Sequence, residues 1–531
     1  MLSVNNDRKN VDDEVQYSKK QLKKLEKKAK KKTYENQEKT KSSTLPEKES
    51  LDKSHYGSVC LLTTIIEPRD FTHIHELNET TVHKMVWIRC RISESRCKGS
   101  IGFLVLRENK YTVQGILDAK VLGNDRDIIK WTSGLPLESV VDIYGEIILP
   151  HIPILSTSQR VEVHIKKIYC ISKAIPELPF VLRDANRKEQ DNQFPDQISV
   201  KLDTRLDNRV LDLRTTANFH IFNLQSHVSR QFREFLYQEN FMEIHTPKLI
   251  EGAAEGGSSV FTFSYFGNKA CLAQSPQLHK QMAICADFPR VFEIGPVFRS
   301  ENSNTHRHLC EFTGMDLEMV IQNSYLELVD MLDRLLKNIF SSLVSTCSEG
   351  IKEIHTRFPA TPFQWIENTP KLSYIQGIGM LREAGFTDIP EDVSTYDLST
   401  PMEKELGRLI KEKYNTDFYF LLKYPLKVRP FYTMPSSEDS KFSNSFDVFM
   451  RGEEIVSGAQ RIHDIDILMS RLKEANIPPD TVQSYLNAFK LGVFPHGGCG
   501  IGLERVVMLF LGLDNIRRTS MFPRDPKRIQ P

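Results

Sequence analysis

Five short runs rich in β-branched residues follow one another between residues 84 and 172, separated by Gly, Ser, Asn and Pro. They read VWIRCRI, GFLVLRE, YTVQGILD, SVVDIYGEIIL and VEVHIKKIYCI. Apolar residues that alternate with polar ones are typical of strands that bury one face. Five such strands in so short a segment can pair all their backbone groups by closing on themselves, which predicts a small β-barrel over 84–172.

A five-stranded barrel of this length fits the OB-fold, whose members bind single-stranded nucleic acid on aromatic, basic and amide side chains. Arg96, Phe103 and Gln114 lie on the predicted strands and could bind bases in this way. Strand alternation alone leaves open whether Phe103 is exposed for stacking or buried in the core.

Residues 1–55 differ from the rest of the chain, because they are rich in Lys, Glu, Asn and Ser and do not bury enough apolar surface to fold alone. Within them, residues 18–32 place nine lysines around a narrow apolar stripe. Lysines repel one another at i,i+4, so this helix is expected to be weak alone and to form against a polyanion. We expect a lysine-rich, RNA-binding extension; a solvated tail or nuclear-import-like patch is the alternative.

The overall composition is that of a multidomain globular protein. A chain of 531 residues is too long for one core. Its nine cysteines form no C-x-x-C pair, which favours reduced thiols. No apolar run of about 18 residues occurs, so we expect no membrane span and a cytoplasmic location.

Two further regions follow the barrel. Residues 173–215 contain prolines and a charged run and are predicted to be a linker or hinge. Residues 216–531 alternate helical and strand patterns, as in a large α+β domain with a helical insertion at about 321–440.

The first polar segment of this domain is FEIGPVFRSENSNTHRHLCEFTGMDLEM, in which two strand-like runs flank a polar loop. A period of two places Phe312, Asp316 and Glu318 on one face of the second run, where two carboxylates are unusual because buried acids need partners. Arg299 and Glu301 lie at the end of the first run. An arginine can clamp a phosphate and a phenylalanine can stack on a purine; an exposed hairpin with solvated charges is the alternative.

The second segment is HGGCGIGLERVVMLFLGL, in which Gly498, Gly500 and Gly502 alternate along a strand before Glu504 and Arg505 begin a helix. Glycine at every second position bares one strand face, so a flat base can lie against the backbone. Neither G-x-G-x-x-G nor G-x-x-x-x-G-K-[ST] occurs in the sequence, so Rossmann and P-loop sites are unsupported.

The third segment is FDVFMRGEEIVSGAQRIHD, where Asp447, Glu454 and Ser457 offer hard oxygen ligands for Mg²⁺ held between protein and substrate phosphates. Arg461 follows Ser457 by four residues, which on a helical turn would direct both side chains into one space. A surface acidic strand followed by a helix is the alternative.

The stretch AQSPQLHKQM predicts a helix that begins near Pro276. Gln274, Gln277 and Lys280 recur at every third residue and so point to roughly one side. Two amides and an ammonium group near a helix start suit a small, negatively charged ligand.

Together these segments resemble the signature motifs of class II aminoacyl-tRNA synthetases. LYQENFMEIHTPKLI resembles motif 1, a helix and strand at the dimer interface around Pro247; the Arg299–Glu301 hairpin resembles motif 2, and GIGLER resembles motif 3. Within this class the chain is most similar to aspartyl-tRNA synthetases of the eukaryotic cytosolic type, over residues 18–531. The resemblance implies an antiparallel catalytic sheet flanked by helices, an anticodon-binding barrel, a homodimer, and ATP-dependent ligation of L-aspartate to tRNA(Asp) through aspartyl-adenylate with Mg²⁺.

The resemblance also implies roles for individual residues. It implies catalytic roles for Arg299, Glu301 and Arg505, with Arg299 on the α-phosphate and the adenine between Phe312 and Arg505. Further ATP contacts are expected at Arg307, His308, Leu309, Glu454, Gly502, Leu503 and Glu504. Mg²⁺ is expected at Asp447, Glu454 and Ser457. L-Aspartate is expected to contact Glu255, Gln277, Lys280, Arg299, Asp316, Ser457 and Arg461. tRNA is expected to contact Lys23, Lys27, Arg96, Phe103, Gln114 and Glu162.

The predicted specificity for aspartate depends on Lys280 and Arg461, which are expected to bind the side-chain carboxylate while Asp316 steadies them. Asparaginyl-tRNA synthetases, the nearest relatives, carry Q-x-x-E where this chain has QLHK. A glutamate there would repel aspartate, whereas a lysine attracts it.

Two residues depart from the family pattern. Ala254 stands before Glu255 where the flap over the amino acid usually has Ser or Thr, which removes a hydroxyl group. Cys499 stands in place of a motif 3 glycine, with its side chain expected to face away from the base. The alternatives are an asparaginyl-tRNA synthetase, a non-discriminating aspartyl-tRNA synthetase, or a non-catalytic RNA-binding relative, which would typically lose Arg299 or Arg505.

Overall fold

The computed structural model of the chain describes residues 55–59, 69–188, 199–251 and 260–530. The predicted lysine-rich helix with Lys23 and Lys27, and Glu255 of the predicted flap, lie outside the described residues.

The N-terminal sheet is a closed barrel, as the sequence predicts. Its strands run in the order β1-β6-β4-β3-β2-β5, and pairing of β5 with β6 closes the sheet. The strand β1 adds a parallel partner to β6 that the sequence pattern did not indicate. The elements are β1 (Tyr56–Ser58), β2 (Met85–Lys98), β3 (Ile101–Glu108), β4 (Tyr111–Asp118), α1 (Asp127–Ser133), β5 (Val140–Ile148) and β6 (Glu162–Ser172), with 3₁₀ turns at Ile74–Glu76 and Glu79–Thr81.

The alternating side chains explain the barrel. Ile88 and Ile92 on β2, and Leu104 and Leu106 on β3, are buried in one apolar cluster. The register of β5 against β6 shifts next to Gly145, where an added Cβ would lie 2.7 Å from a backbone carbonyl oxygen. The shift bends the strand, which a sheet needs in order to close.

The segment 173–215, predicted to be a linker or hinge, is partly helical. It contains α2 (Leu182–Asn186), α3 (Leu202–Asp207) and α4 (Arg209–Asp212). Asp212 accepts hydrogen bonds from Arg205 at 2.6 Å and Arg209 at 2.5 Å, and all three side chains are buried. Buried ion pairs, together with a small apolar cluster that includes Leu182 and Leu211, hold these helices, and in the sequence their charges resemble those of a solvated linker.

The C-terminal domain is built on an eight-stranded sheet in the order β13-β14-β15-β16-β17-β12-β11-β7. The edge strands β13 and β7 are parallel to their neighbours β14 and β11, and all other neighbouring strands are antiparallel. A smaller sheet has the order β8-β10-β9. The strands are β7 (Met242–Glu243), β8 (Leu249–Ile250), β9 (Thr262–Tyr265), β10 (Asn268–Leu272), β11 (Arg290–Phe298), β12 (Glu311–Val320), β13 (Lys371–Ser373), β14 (Phe418–Leu422), β15 (Ser445–Met450), β16 (Glu453–Gln460) and β17 (His496–Gly502).

Helices cover this sheet, which confirms the expected antiparallel sheet flanked by helices. They are α5 (Thr216–Gln238), α6 (Gln277–Cys285), α7 (Leu326–Thr346), α8 (Ser348–Arg357), α9 (Tyr374–Glu383), α10 (Thr400–Tyr414), α11 (Ile465–Glu474), α12 (Gln483–Phe489) and α13 (Leu503–Leu511), with 3₁₀ turns at Leu426–Val428, Pro479–Val482 and Ile516–Arg518. The large apolar cluster lies between the sheet and α5, α7 and α13. None of the helices within the described ranges is long and apolar enough to cross a membrane.

The predicted helical insertion needs one correction. Residues 321–440 also supply β13 and β14, and β14 pairs with β15 so that Leu421 faces Asp447. The sequence of β14, FYFLL, is a short continuous apolar run, and periodicity does not separate such a strand from a buried piece of helix.

Candidate active site

A cavity of about 240 Å³ lies over β12, β16 and β17 and beneath the loop between β11 and β12. Strand alternation builds its floor, because Phe312, Gly314 and Asp316 all face it from β12. The predicted site residues that line it are Gln277, Arg299, Glu301, Arg307, His308, Leu309, Phe312, Asp316, Glu454, Ser457, Arg461, Gly502, Glu504 and Arg505. Residues from six separate parts of the chain therefore meet at one cavity.

Lys280 lies directly below this floor and is almost completely buried. Its Nζ is 2.9 Å from Asp316 Oδ2 and 3.5 Å from Glu318 Oε2, and it donates a hydrogen bond of 2.9 Å to the Cys499 carbonyl oxygen. Helix α6 begins after Pro276, as the sequence predicts, and brings Lys280 one turn in. The ammonium group is thus fixed beneath the cavity by two carboxylates.

Arg461 provides the second buried cation. Its Nε donates to Glu318 Oε1 at 2.9 Å, and its Nη2 donates to Gln277 Oε1 at 3.3 Å. Burial acts to raise the pKa of Glu318, but Arg461 and then Lys280 outweigh it and hold that pKa below the ordinary value. Gln277 Nε2 is buried with no hydrogen-bond partner among the residues described, so the cavity has a free donor for an oxygen of a ligand.

Ser457 and Arg461 lie on the same side of the chain for a different reason from the one the sequence suggested. Ser457 is on β16, and Arg461 follows that strand and forms a bridge with Thr433. The predicted helical turn is wrong, but a spacing of four residues also returns to the same face of a strand.

Two of the three alternating glycines make room for carboxylates rather than for a base, which corrects the sequence interpretation. A Cβ at Gly498 would lie 2.0 Å from Glu318 Oε2, and one at Gly500 would lie 3.1 Å from Asp316 Oδ2. At Gly502 the nearest atom, Cβ of Arg505, is 3.7 Å away, so only this glycine leaves an open face.

The cavity wall on the side of the β11–β12 loop carries arginines. The Arg299 guanidinium lies 5.5 Å from the centre of the Phe312 ring. Arg505 donates to the carbonyl oxygens of Glu454 at 2.9 Å and Arg307 at 3.2 Å, and burial lowers its pKa. Backbone hydrogen bonds hold Arg505 in place without neutralising it.

Two acids lie near each other beside the cavity: Glu454 lines it, whereas Asp447, a predicted metal ligand, does not. Burial and the nearby Asp447 carboxylate raise the pKa of Glu454 to about 7. Asp447 Oδ2 accepts from Arg429 at 2.7 Å, whereas its Oδ1 is buried with no hydrogen-bond partner in the described part of the chain. Ser457 Oγ accepts from Arg429 at 2.9 Å.

The acid pair fits a divalent cation, since Asp447 has one oxygen without a partner among the described residues and burial and the neighbouring acid raise the pKa of Glu454. Within the described ranges, no group of three or more His, Cys, Asp and Glu residues could hold a metal alone.

Four of the residues predicted to contact ATP also contact other parts of the protein. Arg307 is 3.0 Å from Glu403 Oε2 and donates to Thr400 Oγ1 at 2.7 Å. Glu504 accepts two hydrogen bonds from the Thr313 backbone N–H, and burial raises its pKa to about 7. The side chains of Leu309 and Leu503 are both in the large apolar cluster, and Leu503 does not line the cavity.

Comparison of the chain with known proteins agrees with the resemblance of the segments that form this cavity to class II synthetase motifs. Residues 201–526 match the family described as tRNA synthetases class II (D, K and N). A relative from Arabidopsis thaliana, named aspartate–tRNA ligase 1, cytoplasmic, is 47% identical over 523 residues, which cover 97% of either chain. The solved aspartyl tRNA synthetase of Entamoeba histolytica is 41% identical with a TM-score of 0.81, over 91% of this chain and 98% of that one.

The chain belongs to the aspartate–tRNA ligases. An asparaginyl-tRNA synthetase from Pyrococcus horikoshii, solved with asparaginyl-adenylate, is more distant. It is 27% identical with a TM-score of 0.74, over 88% of this chain and all of that one.

This member of the aspartate–tRNA ligases also brings together the predicted anticodon contacts of its barrel. Arg96 pairs directly with Phe103 across β2 and β3, and the Phe103 side chain is 47% exposed rather than in the core. Gln114 donates to Glu162 Oε2 at 3.2 Å on the neighbouring strand. Arg96 is exposed like Phe103, Gln114 is half-buried, and Glu162 is buried.

Three site residues were missed by the sequence reasoning. Strand alternation places Glu318 on the same face as Asp316 but gives it no role. That shared face is the signal in the sequence that Glu318 belongs to the site. Arg429 and Glu403 come from the segment between β13 and β15; Arg429 lines the cavity, whereas Glu403 acts on it only through its ion pair with Arg307. No local pattern marks either of them.

Proposed function

We propose that the chain ligates L-aspartate to tRNA(Asp) at the expense of ATP, through an aspartyl-adenylate, in the cytoplasm. The observation that carries the proposal is the cation pair of Lys280 and Arg461 beneath a cavity that also holds the Arg299 and Arg505 side chains. Buried cations beside a free amide donor fit a carboxylate side chain, and arginines above them fit a nucleotide phosphate.

The two steps require positioning and charge stabilisation more than proton transfer. In the first, the α-carboxylate of aspartate attacks the α-phosphorus of ATP in line; a P–O bond forms and pyrophosphate leaves. In the second, the 3′-terminal ribose hydroxyl of the tRNA attacks the adenylate carbonyl carbon and AMP leaves. Arg299 would stabilise the charge that develops on the α-phosphate.

The nucleotide would lie between Phe312 and Arg505, with Glu301 orienting the adenine. The open face at Gly502 lets the nucleotide approach the backbone closely. Arg307 and His308, on the loop after β11, would contact the remaining phosphates and the tRNA acceptor end. Burial lowers the pKa of His308, which favours its neutral form there.

Asp447 and Glu454, with Ser457 beside them, would hold Mg²⁺. When bound, the metal supplies charge neutralisation at the ATP phosphates. Glu454 would hold the metal in its deprotonated form, although burial and the Asp447 carboxylate raise its pKa to about 7.

The tRNA would contact three further parts of the chain. Phe103 would stack on an anticodon base, and Arg96, Gln114 and Glu162 would hydrogen-bond base edges. The lysine-rich extension with Lys23 and Lys27 would add affinity that depends on salt and not on sequence. These are the roles that the family resemblance implies for the barrel and the extension.

Two copies of the chain would associate through the segment that resembles motif 1. Tyr237, Met242 and Leu249, which flank or belong to this segment, are each more than half exposed, and Pro247 is exposed among them. Apolar side chains that are grouped in this way suit an interface. Light scattering should give twice the mass of the 61.2 kDa chain.

The experiment that tests the function is aminoacylation of unfractionated tRNA with radiolabelled aspartate or asparagine. We expect aspartate to be incorporated into one acceptor family and Arg299→Gln to abolish the incorporation. Incorporation of asparagine instead would move the chain to the asparaginyl enzymes, and charging of two tRNA families with aspartate would show a non-discriminating enzyme.

A further inference from the structure

A second cavity, of about 360 Å³, lies where the barrel meets the C-terminal domain. Its walls come from β2, the end of β3, the start of β5, the residues just after α4, and the first turn of α5. The lining includes four arginines: Arg89, Arg91, Arg107 and Arg214. The function proposed above uses none of them.

A single carboxylate, that of Glu138, pairs with two of these four arginines. Glu138 Oε2 is 2.6 Å from Arg107 Nη2 and 2.9 Å from Arg214 Nη1, while the Glu138 carbonyl oxygen accepts from Arg91 Nη1 at 2.8 Å. Glu138 is buried and has a φ of 70°, in the left-handed region that favours glycine. Such backbone strain is retained where the surrounding structure holds a side chain in one place.

The other acids at the cavity are already engaged. Arg89 is neutralised by Asp142, at 2.7 Å. Glu108 lines the cavity but accepts from the Ile74 backbone N–H at 2.8 Å and pairs with His73 at 2.7 Å. Among the residues described, Glu108 is the only carboxylate group that lines this cavity; Glu138 and Asp142 bind its arginines but do not line it.

Of the four arginines that line the cavity, Arg91 is therefore the one without a carboxylate partner in the described ranges. Within the described ranges no ion pair joins it to a carboxylate within 4 Å, although the charge of Glu138 acts on its half-buried guanidinium. Burial and then the charge of Arg214 lower its pKa, against the opposing charge of Glu138. Nε of Arg107 is also buried without a hydrogen-bond partner in the described part of the chain.

We propose that this cavity, between the barrel and the C-terminal domain, binds a phosphate group through Arg91, Arg107 and Arg214. Three guanidinium groups around one carboxylate match the charge and the fork geometry that a phosphate requires. Phe219, 38% exposed on the same wall, offers an apolar edge to whatever carries the phosphate. The group belongs either to the tRNA backbone or to a free phosphoanion.

The first experiment measures the thermal stability of the full chain against increasing inorganic phosphate, with chloride at matched ionic strength as the reference. It uses Arg299→Gln as the background, so that phosphate in the catalytic cavity does not contribute. We expect phosphate to raise the melting temperature, and both Arg91→Gln and Arg214→Gln to remove most of this increase. Arg126→Gln, an exposed arginine of the same domain, is the matched control and should retain it.

The second experiment identifies the source of the phosphate group. If it is the tRNA backbone, Arg91→Gln weakens tRNA binding and reduces the slope of log affinity against log salt by about one unit. If it is a free phosphoanion, tRNA affinity and slope stay at the Arg126→Gln values while the phosphate effect is lost. Equal phosphate stabilisation in the Arg91→Gln, Arg214→Gln and Arg126→Gln proteins, or none in the Arg299→Gln background itself, overturns the proposal.

The test is independent of the proposed aminoacylation. Arg91 and Arg214 lie in the second cavity, so aspartate-dependent pyrophosphate exchange should stay within about twofold of wild type in both variants. Arg91→Lys, which keeps the charge but loses the planar fork, should retain part of the phosphate effect. If Arg91→Gln fails to fold, Arg214→Gln and Arg91→Lys still decide the outcome.

Discussion

At the scale of single residues, the site is a set of charges balanced before any substrate arrives. Lys280 and Arg461 carry two positive charges, and Asp316 and Glu318 carry two negative ones. Burial of ions is costly unless each has a partner, so removing one member affects all four. Glu318 contacts both cations and is fully buried, which makes it the centre of the group.

Glu318→Gln removes one negative charge and leaves a buried cation without its partner. We expect a loss of about 3 kcal/mol in the free energy of unfolding, and kcat/KM for aspartate to fall about 100-fold with a much smaller change in KM for ATP. Denaturant melts and steady-state kinetics measure the two effects. Glu412→Gln, which weakens an exposed pair with Arg408, is the control; it should lower the free energy of unfolding by no more than about 0.5 kcal/mol and leave the kinetics unchanged.

Glu454 gives the site a pH dependence. Its pKa in the folded chain, about 7, lies above the ordinary 4.5, so the folded state binds a proton more firmly than the unfolded state does. The free energy of unfolding should therefore fall as pH rises from about 4.5 to about 7, by on the order of 1–3 kcal/mol. Glu454→Gln should flatten this decline in denaturant melts recorded across that range.

Mg²⁺ should offset this fall in the free energy of unfolding, because it binds the deprotonated carboxylate of Glu454. Its stabilising effect on wild type should be larger at pH 8 than at pH 6 and should vanish in Glu454→Gln. Equal stabilisation by Mg²⁺ in the variant would contradict the assignment of this residue to the metal.

At the scale of elements, helix α10 holds the loop that carries Arg307. Its first turn supplies Thr400 and Glu403 to the arginine side chain. Burial raises the pKa of Glu403, and the arginine opposes that increase. The helix therefore positions a loop residue that is expected to contact ATP.

Glu403→Gln should release Arg307 and raise KM for ATP by about three- to tenfold, with KM for aspartate changed less than about twofold. Pyrophosphate exchange at varied ATP measures this difference. Glu405→Gln, two residues further along the helix and paired with exposed Arg408, is the matched control. An equal effect of the two variants on KM for ATP would refute the positioning role.

The sequence predicts those elements whose side chains repeat with a clear period. The five barrel strands, the β11–β12 hairpin and the start of α6 all follow from alternation or from a proline at a helix start. Strand β14, FYFLL, has no such period. The helices around Asp212 depend on buried arginines that sequence alone does not distinguish from solvated ones.

The candidate site was predictable where its residues lie close together in the chain. The hairpin of Arg299 and Phe312 and the glycine strand before Arg505 carry their pattern locally. Arg429 reaches Asp447 from another strand connection, and Glu403 reaches Arg307 from a helix about a hundred residues away. Only the folded chain shows these contacts.

At the scale of the whole molecule, the short helices between the domains join the barrel to the catalytic sheet. Arg209 donates to the carbonyl oxygens of Ser520 and Met521, at 2.7 and 2.9 Å, and Arg214 pairs with Glu138 of the barrel. The segment thus contacts both domains, so the barrel and the catalytic cavity share one framework.

Removal of residues 1–50 should leave adenylate formation unchanged, because the catalytic cavity is built entirely from later residues. It should weaken tRNA binding and make the remaining affinity less sensitive to salt, since the lysines neutralise backbone phosphates. Filter binding at several salt concentrations, beside pyrophosphate exchange, tests both statements. Unchanged tRNA affinity at physiological salt would rule out the role of the lysine-rich extension.

The central claim is that Lys280 selects aspartate at a class II adenylate-forming site. The measurement that tests it most directly is pyrophosphate exchange into ATP with aspartate or asparagine supplied, in wild type and in Lys280→Glu. We predict exchange with aspartate alone in wild type, and its loss in the variant because a glutamate repels the substrate carboxylate. Exchange with asparagine in wild type, or aspartate-dependent exchange that survives in Lys280→Glu, would contradict the claim.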